Sequence, residues 1–400
     1  MTYCTLFRRI VQHAFMFLSL VACAKENSPE GTLPPEQPDQ DEIYIEWDQQ
    51  TRRKISSGNN TRYAGYGRII QLPDQSLLGI YEADGNVVSV KSDDLGESWS
   101  EPVVVAARTE GTNMCVPDML LLNDQKTILA LYNGRPFAIS PERKFDIRIK
   151  KSTDAGQTWT DEKVLYEAGH EFENGCWEPA AIQLPSGEIQ LFFANEGPYT
   201  QSNEQNISMM RSQDDGETWT TDPTIVSFRP GRRDGMPVPV LLNNGKDIVV
   251  AIEDNAIQAF KPYTLHSSME ENWATTIGAE SPKRNYALLE PVANEIYAGA
   301  PYIRQLSTGE TILAYQGTEG RTNDMNFADM KVVIGDDQAK NFTSKSAPFS
   351  IPSNRSCLWN SITVLNDNTI IAVTSTNAYG TAGNTEVWMV KGKLINNTNQ

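Results

Sequence analysis

Two glutamates have the residue type and the setting that acid–base chemistry requires. Glu178 lies between Trp177 and Pro179 at the start of an otherwise apolar stretch, and Glu253 ends the apolar run DIVVAIE. A pair of carboxyl groups can cleave a glycosidic bond when one is protonated and the other is ionised. Their surroundings must then hold the two pKa values apart, and an indole such as that of Trp177 helps to do so.

Aromatic, amide and charged side chains near the ends of similar apolar stretches form a predicted substrate-binding set. Aromatic rings provide platforms for sugars, and a few polar groups fix the orientation of a bound ligand. Most polar residues in such places only contact solvent or hold loops, so the set is a hypothesis for each member. Its members are Arg68, Asp118, Arg148, Trp177, Asn206, Asp234, Tyr302, Trp359 and Asn360.

A repeated turn motif shows which elements must position these residues. The pattern Ser-x-Asp-x-Gly-x-Ser/Thr-Trp occurs three times, and its aspartates, Asp94, Asp154 and Asp214, are 60 residues apart. In such a turn the aspartate accepts hydrogen bonds from backbone amides, and the glycine adopts a positive φ. We predict a structural role for the three boxes, with degenerate copies near Trp273 and Phe342.

A second repeat occurs six times. It consists of an apolar strand, a polar turn and another apolar strand. The copies begin near Gly67, Pro117, Trp177, Met236, Ala300 and Trp359. Near-continuous apolar runs indicate hairpins that are buried on both faces. The sequence therefore predicts an all-β fold, a six-bladed β-propeller with Asp-box (BNR) repeats over residues 42–396. Residues 43–47 are expected to add the outer strand of the last blade and close the ring.

The predicted blade geometry places the two glutamates together. The innermost strand of a blade begins at the same rim at which the second, antiparallel strand ends. Glu178 begins an innermost strand and Glu253 ends a second strand in the adjacent blade. We expect their carboxyl groups to lie within roughly 5–9 Å of each other, the range of glycosidase pairs. The Asp boxes are expected on the opposite face.

The N-terminal segment has the pattern of a bacterial lipoprotein signal. Arg8 and Arg9 precede a short apolar run that ends in LVAC, at Cys23. The run is too short to span a bilayer, and a cysteine in this place resembles a lipobox. We predict a signal peptide over residues 1–22, lipidation of Cys23 and a flexible tether over residues 23–41. The expected location is the bacterial outer membrane, periplasm or cell surface, with a lipid anchor.

Charge and residue counts narrow the range of partners. Lys and Arg number 34 against 51 Asp and Glu, a net charge of −17. Such acidity argues against nucleic acid as a partner, and it suits a monomeric protein that acts on a neutral oligosaccharide or polysaccharide. Contact with a membrane is expected only through the lipid.

Cysteine and histidine patterns suggest no cofactor and no imidazole-based metal site. Cys115, Cys176 and Cys357 match no zinc spacing and are expected to be buried thiols. Beyond the predicted signal peptide the only histidines are His170 and His266. The sequence leaves open whether loop carboxylates bind a structural calcium ion.

The boxes resemble those of the sialidase superfamily, and the chain as a whole more closely resembles the family-93 glycoside hydrolases. These are exo-acting α-L-arabinanases with six blades. The resemblance rests on segments such as GRIIQLPDQSLLGIY, GCWEPAAIQLPSGEIQLFFANE and RRDGMPVPVLLNNGKDIVVAIED. It implies that Glu178 is the general acid/base and Glu253 the nucleophile of a retaining mechanism that releases arabinobiose from α-1,5-arabinan.

Two other functions stay open. Exo-α-sialidases resemble one another in an Arg-Ile-Pro stretch, three arginines and a tyrosine nucleophile in the last blade. Here Arg68 is followed by Ile-Ile, and Trp359 stands where the tyrosine would be expected, with Arg148 and Arg304 as further arginine candidates. The third function is a noncatalytic glycan-binding propeller that uses the same rim.

Overall fold

A computed structural model describes residues 43–57, 61–255, 258–380 and 383–397. The described residues form 24 β-strands and two three-residue 3-10 helices. None of their helices has the length and apolar character needed to cross a membrane. The predicted signal peptide, the tether and Cys23 lie outside the described residues.

The strands form six sheets of four antiparallel strands, which confirms the predicted propeller. The first strand, β1 (Ile43–Lys54), belongs to the last blade. Blades 1 to 3 comprise β2 (Ala64–Gln71), β3 (Leu77–Ala83), β4 (Asn86–Ser92) and β5 (Val103–Ala106); β6 (Thr112–Leu121), β7 (Ile128–Pro136), β8 (Asp146–Ser152) and β9 (Lys163–Glu167); and β10 (Cys176–Gln183), β11 (Ile189–Asn195), β12 (Asn206–Ser212) and β13 (Thr224–Ser227).

Blades 4 to 6 repeat this order. They comprise β14 (Asp234–Leu241), β15 (Asp247–Asp254), β16 (Lys261–Ser268) and β17 (Arg284–Tyr286); β18 (Ala298–Gln305), β19 (Thr311–Gly317), β20 (Asp329–Gly335) and β21 (Thr343–Ser346); and β22 (Cys357–Val364), β23 (Ile370–Thr376), β24 (Glu386–Asn396) and β1. The 3-10 helices are η1 (Phe172–Asn174) and η2 (Met325–Phe327).

The ring closes through the outermost strand of blade 6. Ile43 pairs with Asn396 and Trp47 with Gly392, so the two ends of the described chain meet in one sheet. This confirms the predicted closing role of residues 43–47.

The core lies between adjacent blades. Every residue of the second strands β11, β19 and β23 is buried. Because neighbouring blades cover both faces of these strands, their sequences are nearly continuous apolar runs rather than alternating ones.

The Asp boxes link the third and fourth strands and have the predicted turn role. Asp154 accepts hydrogen bonds from Thr158 N at 2.9 Å, from Thr158 Oγ1 at 2.5 Å and from Ser152 Oγ at 2.8 Å. At the degenerate copies the packing residue remains, and Trp273 and Phe342 are both buried. The copy near Phe342 also keeps an aspartate, because Asp336 accepts hydrogen bonds from Gln338 N at 3.0 Å and from Lys340 N at 2.9 Å.

Each innermost strand contains a β-bulge near its start. In every blade one bulge residue adopts a left-handed backbone, with φ between 49° and 54°. These six residues, which we term the bulge ring, are Tyr66, Val116, Glu178, Met236, Ala300 and Trp359. Left-handed backbone costs a non-glycine residue about 1–2 kcal/mol, and such strain concentrates at functional sites.

Candidate active site

A cavity of about 230 Å³ lies at the bulge-ring end of the propeller. It contains both predicted catalytic glutamates, together with aromatic, amide and arginine side chains. Its lining residues are Tyr66, Arg135, Phe172, Trp177, Glu178, Glu196, Gln205, Arg233, Glu253, Phe260 and Trp359. We term it the mouth cavity.

Glu178 is the only acidic member of the bulge ring. The other five members are tyrosine, valine, methionine, alanine and tryptophan, and most of them belong to one apolar cluster. The Glu178 N–H donates to Asn133 Oδ1 at 3.0 Å, which holds the strained backbone in place. Burial, together with the charges of Glu253 and Glu196, raises the pKa of Glu178 to about 8, and Arg135 opposes this rise.

Glu253 is held by backbone at the end of β15. Its Oε2 accepts a hydrogen bond from Ala300 N at 2.9 Å. Glycines flank the carboxylate: a Cβ atom at Gly299 would lie 2.5 Å from Oε2, and one at Gly235 would lie 3.1 Å from Oε1. Burial raises the pKa of Glu253 to about 7, against the lowering effect of the Ala300 N–H and of Arg233.

The two carboxyl groups are electrostatically coupled. Glu253 is the charged neighbour with the largest effect on the pKa of Glu178. Because two nearby carboxylates resist joint ionisation, the pair titrates as a unit and retains one proton over a wide pH range. Glu178 keeps that proton more readily, because the charges of Glu253 and Glu196 both raise its pKa, whereas the Glu253 anion accepts a hydrogen bond from Ala300 N. The arrangement suits an acid and a nucleophile or base.

Aromatic rings form two walls of the mouth cavity. Trp359 stacks on Tyr66 with ring centroids 4.7 Å apart and planes 11° from parallel. On another wall, the Trp177 ring centroid lies 4.9 Å from that of Phe172. Such faces suit the stacking of sugar rings. Trp177 and Trp359 both line the cavity, and their contact with substrate stays a prediction.

Two arginines line the mouth cavity, and they differ in their polar contacts. Arg233 donates to Gln205 Oε1 at 2.6 Å and forms an ion pair with Glu196. The Arg135 guanidinium lies over Phe172 and Trp177, 5.3 and 5.4 Å from the ring centroids. Within the described ranges, Arg135 has no side-chain hydrogen bond or ion pair. Its donors are therefore available to a ligand.

Three predicted substrate-binding residues lie one layer deeper in the channel. Arg68, Asp118 and Tyr302 line a smaller cavity of about 20 Å³, which Glu178 also borders. Arg68 donates to Gly67 O at 2.9 Å and to Trp359 O at 3.2 Å, and it lies 4.9 Å from the Tyr302 ring centroid. These residues do not line the mouth cavity.

The structure places Arg148 and Asn206 outside the mouth cavity. Both belong to third strands, away from the channel. Arg148 donates to both carboxylate oxygens of Asp146 at 2.6 Å and also pairs with Glu162. Asn206 Nδ2 donates to Tyr199 OH at 2.8 Å. The structure therefore does not bring these two predicted substrate-binding residues into the mouth cavity.

Asp234 and Asn360 also lie elsewhere, although each adjoins a bulge. Asp234 is fully buried and forms ion pairs with Arg229 and Arg284. Asn360 is buried and donates to Cys357 O at 3.3 Å. Asp234 lies just before the bulge of blade 4 and Asn360 lies within the bulge of blade 6, and neither side chain lines the mouth cavity.

Several cavity residues were not predicted as substrate-binding residues. Tyr66 could have been found by aligning the six strand starts, because it is equivalent to Trp359. No such signal exists for the others, which come from strand ends and loops. The residues missed are Tyr66, Arg135, Phe172, Glu196, Gln205, Arg233 and Phe260.

Nothing in the described ranges forms a metal centre: no three His, Cys, Asp or Glu side chains are grouped to hold an ion. Cys115, Cys176 and Cys357 are buried free thiols, as predicted.

Residues 126–273 match the family model of the BNR repeat-like domain. The chain is a six-bladed β-propeller that contains a BNR repeat-like domain. This BNR-repeat propeller is also 30% identical over 179 residues to a sialidase of Micromonospora viridifaciens. The match covers 44% of the chain and only 24% of that sialidase.

Solved structures share the architecture of the BNR-repeat propeller. A Dyadobacter fermentans protein of unknown function has a TM-score of 0.66 at 15% identity, covering 87% of this chain and 99% of that one. An arabinobiose complex of Penicillium chrysogenum α-L-arabinanase has a TM-score of 0.62 at 19% identity, covering 85% of this chain and 97% of that one. A GH93 α-L-arabinofuranosidase of Fusarium graminearum, also with arabinobiose, has a TM-score of 0.59 at 16% identity, covering 85% of this chain and 96% of that one. At these levels of sequence identity the similarity shows a shared fold.

Proposed function

We propose that this propeller is an exo-acting glycoside hydrolase with a retaining two-glutamate mechanism, most similar in action to an exo-α-1,5-L-arabinanase. One observation carries the proposal. Glu178 is the only carboxyl group among six equivalent bulge positions, and it shares one cavity with Glu253. Burial raises the pKa of both groups, to about 8 and about 7.

In the proposed mechanism the two glutamates have separate roles. Protonated Glu178 donates its proton to the glycosidic oxygen as the leaving group departs. Ionised Glu253 attacks the anomeric carbon and forms a glycosyl ester. Since Ala300 N–H holds Oε2, Oε1 is the reacting oxygen. Glu178, now a carboxylate, then removes a proton from the water that hydrolyses the ester.

The arginines favour a neutral sugar as substrate. A sialidase needs several arginines around the substrate carboxylate, but Arg68, Arg148 and Arg304 do not line the mouth cavity. Glu196 neutralises Arg233, so Arg135 is the one arginine of the mouth cavity that is left to bind a substrate carboxylate. The net charge of −17 also disfavours an anionic ligand. The arabinobiose-bound arabinanase of similar fold supports an arabinan-type glycan.

Sialidase activity is the second candidate, because of the 30% identity to a bacterial sialidase over 179 residues. Incubation with linear α-1,5-arabinan and, separately, with sialyllactose distinguishes the two candidates. We expect arabinobiose from the first and no sialic acid from the second. Glycan binding without either product would instead indicate a noncatalytic binding propeller.

Substitution of the two glutamates tests the site itself. Glu178→Gln and Glu253→Gln should each lower kcat by about 100-fold or more, because each removes a group that transfers protons or attacks carbon. Glu82→Gln is a matched control, since Glu82 is equivalent to Glu253 in blade 1 but does not line the mouth cavity. Activity within tenfold of wild type in both active-site variants would refute the assignment.

We further propose that the enzyme works from a lipid anchor on Cys23 as a monomer. The lipobox-like segment supports this proposal. In cell fractionation, Cys23→Ala should move the protein from the membrane to the soluble fraction. An unchanged membrane location would contradict it.

A further inference from the structure

Two exposed phenylalanines lie on the face of the propeller that carries the mouth cavity, and each has an arginine beside it. Phe172 is 52% exposed and Phe137 is 53% exposed. The Arg135 guanidinium lies 5.3 Å from the Phe172 ring centroid. The Arg108 guanidinium lies 4.9 Å from the Phe137 ring centroid. Because about half of each phenylalanine faces water, burial in the core does not account for either residue.

The strand order places both phenylalanines on this face. The second strand of blade 2, β7, ends at the mouth rim with Pro136. Phe137 N then donates to Gly111 O at 2.9 Å, which continues the pairing of β7 with β6 by one residue. Phe172 belongs to η1, on the link from the last strand of blade 2 to the first strand of blade 3, which begins at the same rim.

Arg135 connects the mouth cavity with Phe137. It lines the cavity, and Phe137 follows it by two residues along an extended chain. Residues two apart in such a chain lie on the same side of it, with about 7 Å between their backbones. A surface of two rings and two guanidinium groups therefore runs from the cavity wall outward over blade 2. We term it the blade-2 track; its members are Phe172, Arg135, Phe137 and Arg108.

The two arginines of the blade-2 track have unused donors. In the parts of the chain that the structure describes, neither side chain forms a hydrogen bond or an ion pair, and the bond from Arg108 to Asn86 Oδ1 comes from the backbone N–H. A guanidinium group carries five N–H donors in one plane, so it can stack on a ring and still donate to a ligand. Ring faces and free donors together suit the binding of sugars.

The position of the acid decides which part of a substrate reaches the blade-2 track. In the proposed mechanism Glu178 protonates the leaving group, which must therefore lie on its side of the scissile bond. Trp177 precedes Glu178 in β10, and its ring centroid lies 4.9 Å from that of Phe172. Arg135 lies over both rings. The track thus begins beside the acid, whereas Glu253 comes from blade 4.

We infer that the blade-2 track binds the leaving-group part of a neutral polysaccharide, the sugar units that follow the scissile bond. The direction of the bound chain rests on the proposed function, but binding itself does not require hydrolysis. Phe172 and Arg135 hold the first of these units, and Phe137 and Arg108 hold a later one. The protein accordingly favours polymers and long oligosaccharides over short ones.

Substrate length tests this inference. The measured quantity is the ratio of kcat/KM for α-1,5-arabinohexaose to kcat/KM for 4-nitrophenyl arabinobioside, which lacks the later sugar units. Phe137→Ala should lower the ratio by about three- to tenfold, the contribution expected of one stacked ring. Arg108→Met removes the free donors and should also lower it. Phe137→Tyr retains the ring and should retain the ratio.

Phe327→Ala is the matched control. Phe327 is a 36% exposed phenylalanine of η2, on the link between the second and third strands of blade 5, and it does not line the mouth cavity. This variant should leave the ratio at its wild-type value. A wild-type ratio in Phe137→Ala, or an equal fall in Phe327→Ala, would overturn the inference.

Binding without turnover separates this inference from the proposed function. In Glu178→Gln protein, calorimetric titration with arabinohexaose should show affinity that falls by about three- to tenfold when Phe137→Ala is added. The same fall in a protein whose wild type hydrolyses neither substrate would count against the proposed function alone. Hydrolysis by wild type combined with equal hexaose affinity in the two Glu178→Gln proteins would count against the track alone, and absence of hexaose binding would also refute the track.

Discussion

At the residue scale, the site depends on carboxyl groups held where water solvates them poorly. The bulge ring surrounds Glu178 with apolar neighbours, and the charge of Glu253 adds to the effect. The pKa of Glu178 is about 8, against an ordinary value of 4.5. Such a group can hold a proton at neutral pH, but its ionisation opposes folding.

This conflict predicts a dependence of stability on pH. Folded Glu178 keeps a proton that the unfolded chain releases above about pH 4.5, so the free energy of unfolding should fall as pH rises from about 4.5 to 8. Glu253 contributes in the same direction up to about pH 7. One such group changes the free energy by at most about 1.4 kcal/mol per pH unit. Thermal melting across this range measures the slope.

The Tm of Glu178→Gln should depend less steeply on pH than the Tm of wild type. Near pH 8 the variant should have the higher Tm. Glu82 has a raised pKa of about 7, so part of the slope should persist in this variant. If Tm changed with pH in the same way for wild type and Glu178→Gln, Glu178 would not be a buried acid.

At the element scale, the Asp boxes shape turns between third and fourth strands, whereas the site is built from first and second strands. Box hydrogen bonds lower the pKa of Asp94 and Asp214 to about 2, chiefly through Ser98 and Thr218. These turns lie at the other end of the blades from the bulge ring. The boxes therefore serve the fold and not the chemistry.

Asp154→Ala should reduce stability without reducing kcat. The change removes three hydrogen bonds to one carboxylate in a largely exposed turn, which we expect to cost about 1–2 kcal/mol. Chemical denaturation and steady-state kinetics provide the two measurements. Asp161→Ala, at an exposed acid just past the same box, is the comparison and should change neither. Loss of activity in folded Asp154→Ala would point to a functional box.

At the scale of the whole molecule, the propeller is a ring whose last blade combines β1 with β22, β23 and β24. Without β1, the strand β24 would become an exposed edge, and Trp47 would no longer cover Gly392. Closure therefore links the start of the described chain to the stability of all six blades.

Deleting residues 1–54 should lower Tm by about 10 °C or more, because several paired residues and their packing are lost together. Deleting residues 1–41 retains β1 and should leave Tm unchanged. Differential scanning calorimetry compares the two proteins. Equal melting temperatures would show that the ring does not need β1 for closure.

The sequence by itself determined the repeat, the blades and the two glutamates. The 60-residue spacing and the doubly buried hairpins are local patterns, and Glu178 and Glu253 mark the ends of such hairpins. Only the tertiary structure decided which polar residues face the cavity. Each bulge inserts a residue into its innermost strand and shifts the alternation of side chains, so Trp359 points inward while Asn360 is buried elsewhere.

Long-range packing decided the rest of the site. Arg148 and Asp234 satisfy buried partners instead of a ligand, whereas Arg135 and Phe172 reach the cavity from a strand end and a 3-10 helix. Loops and ion pairs of this kind depend on contacts between segments far apart in the chain, and no local pattern specifies them.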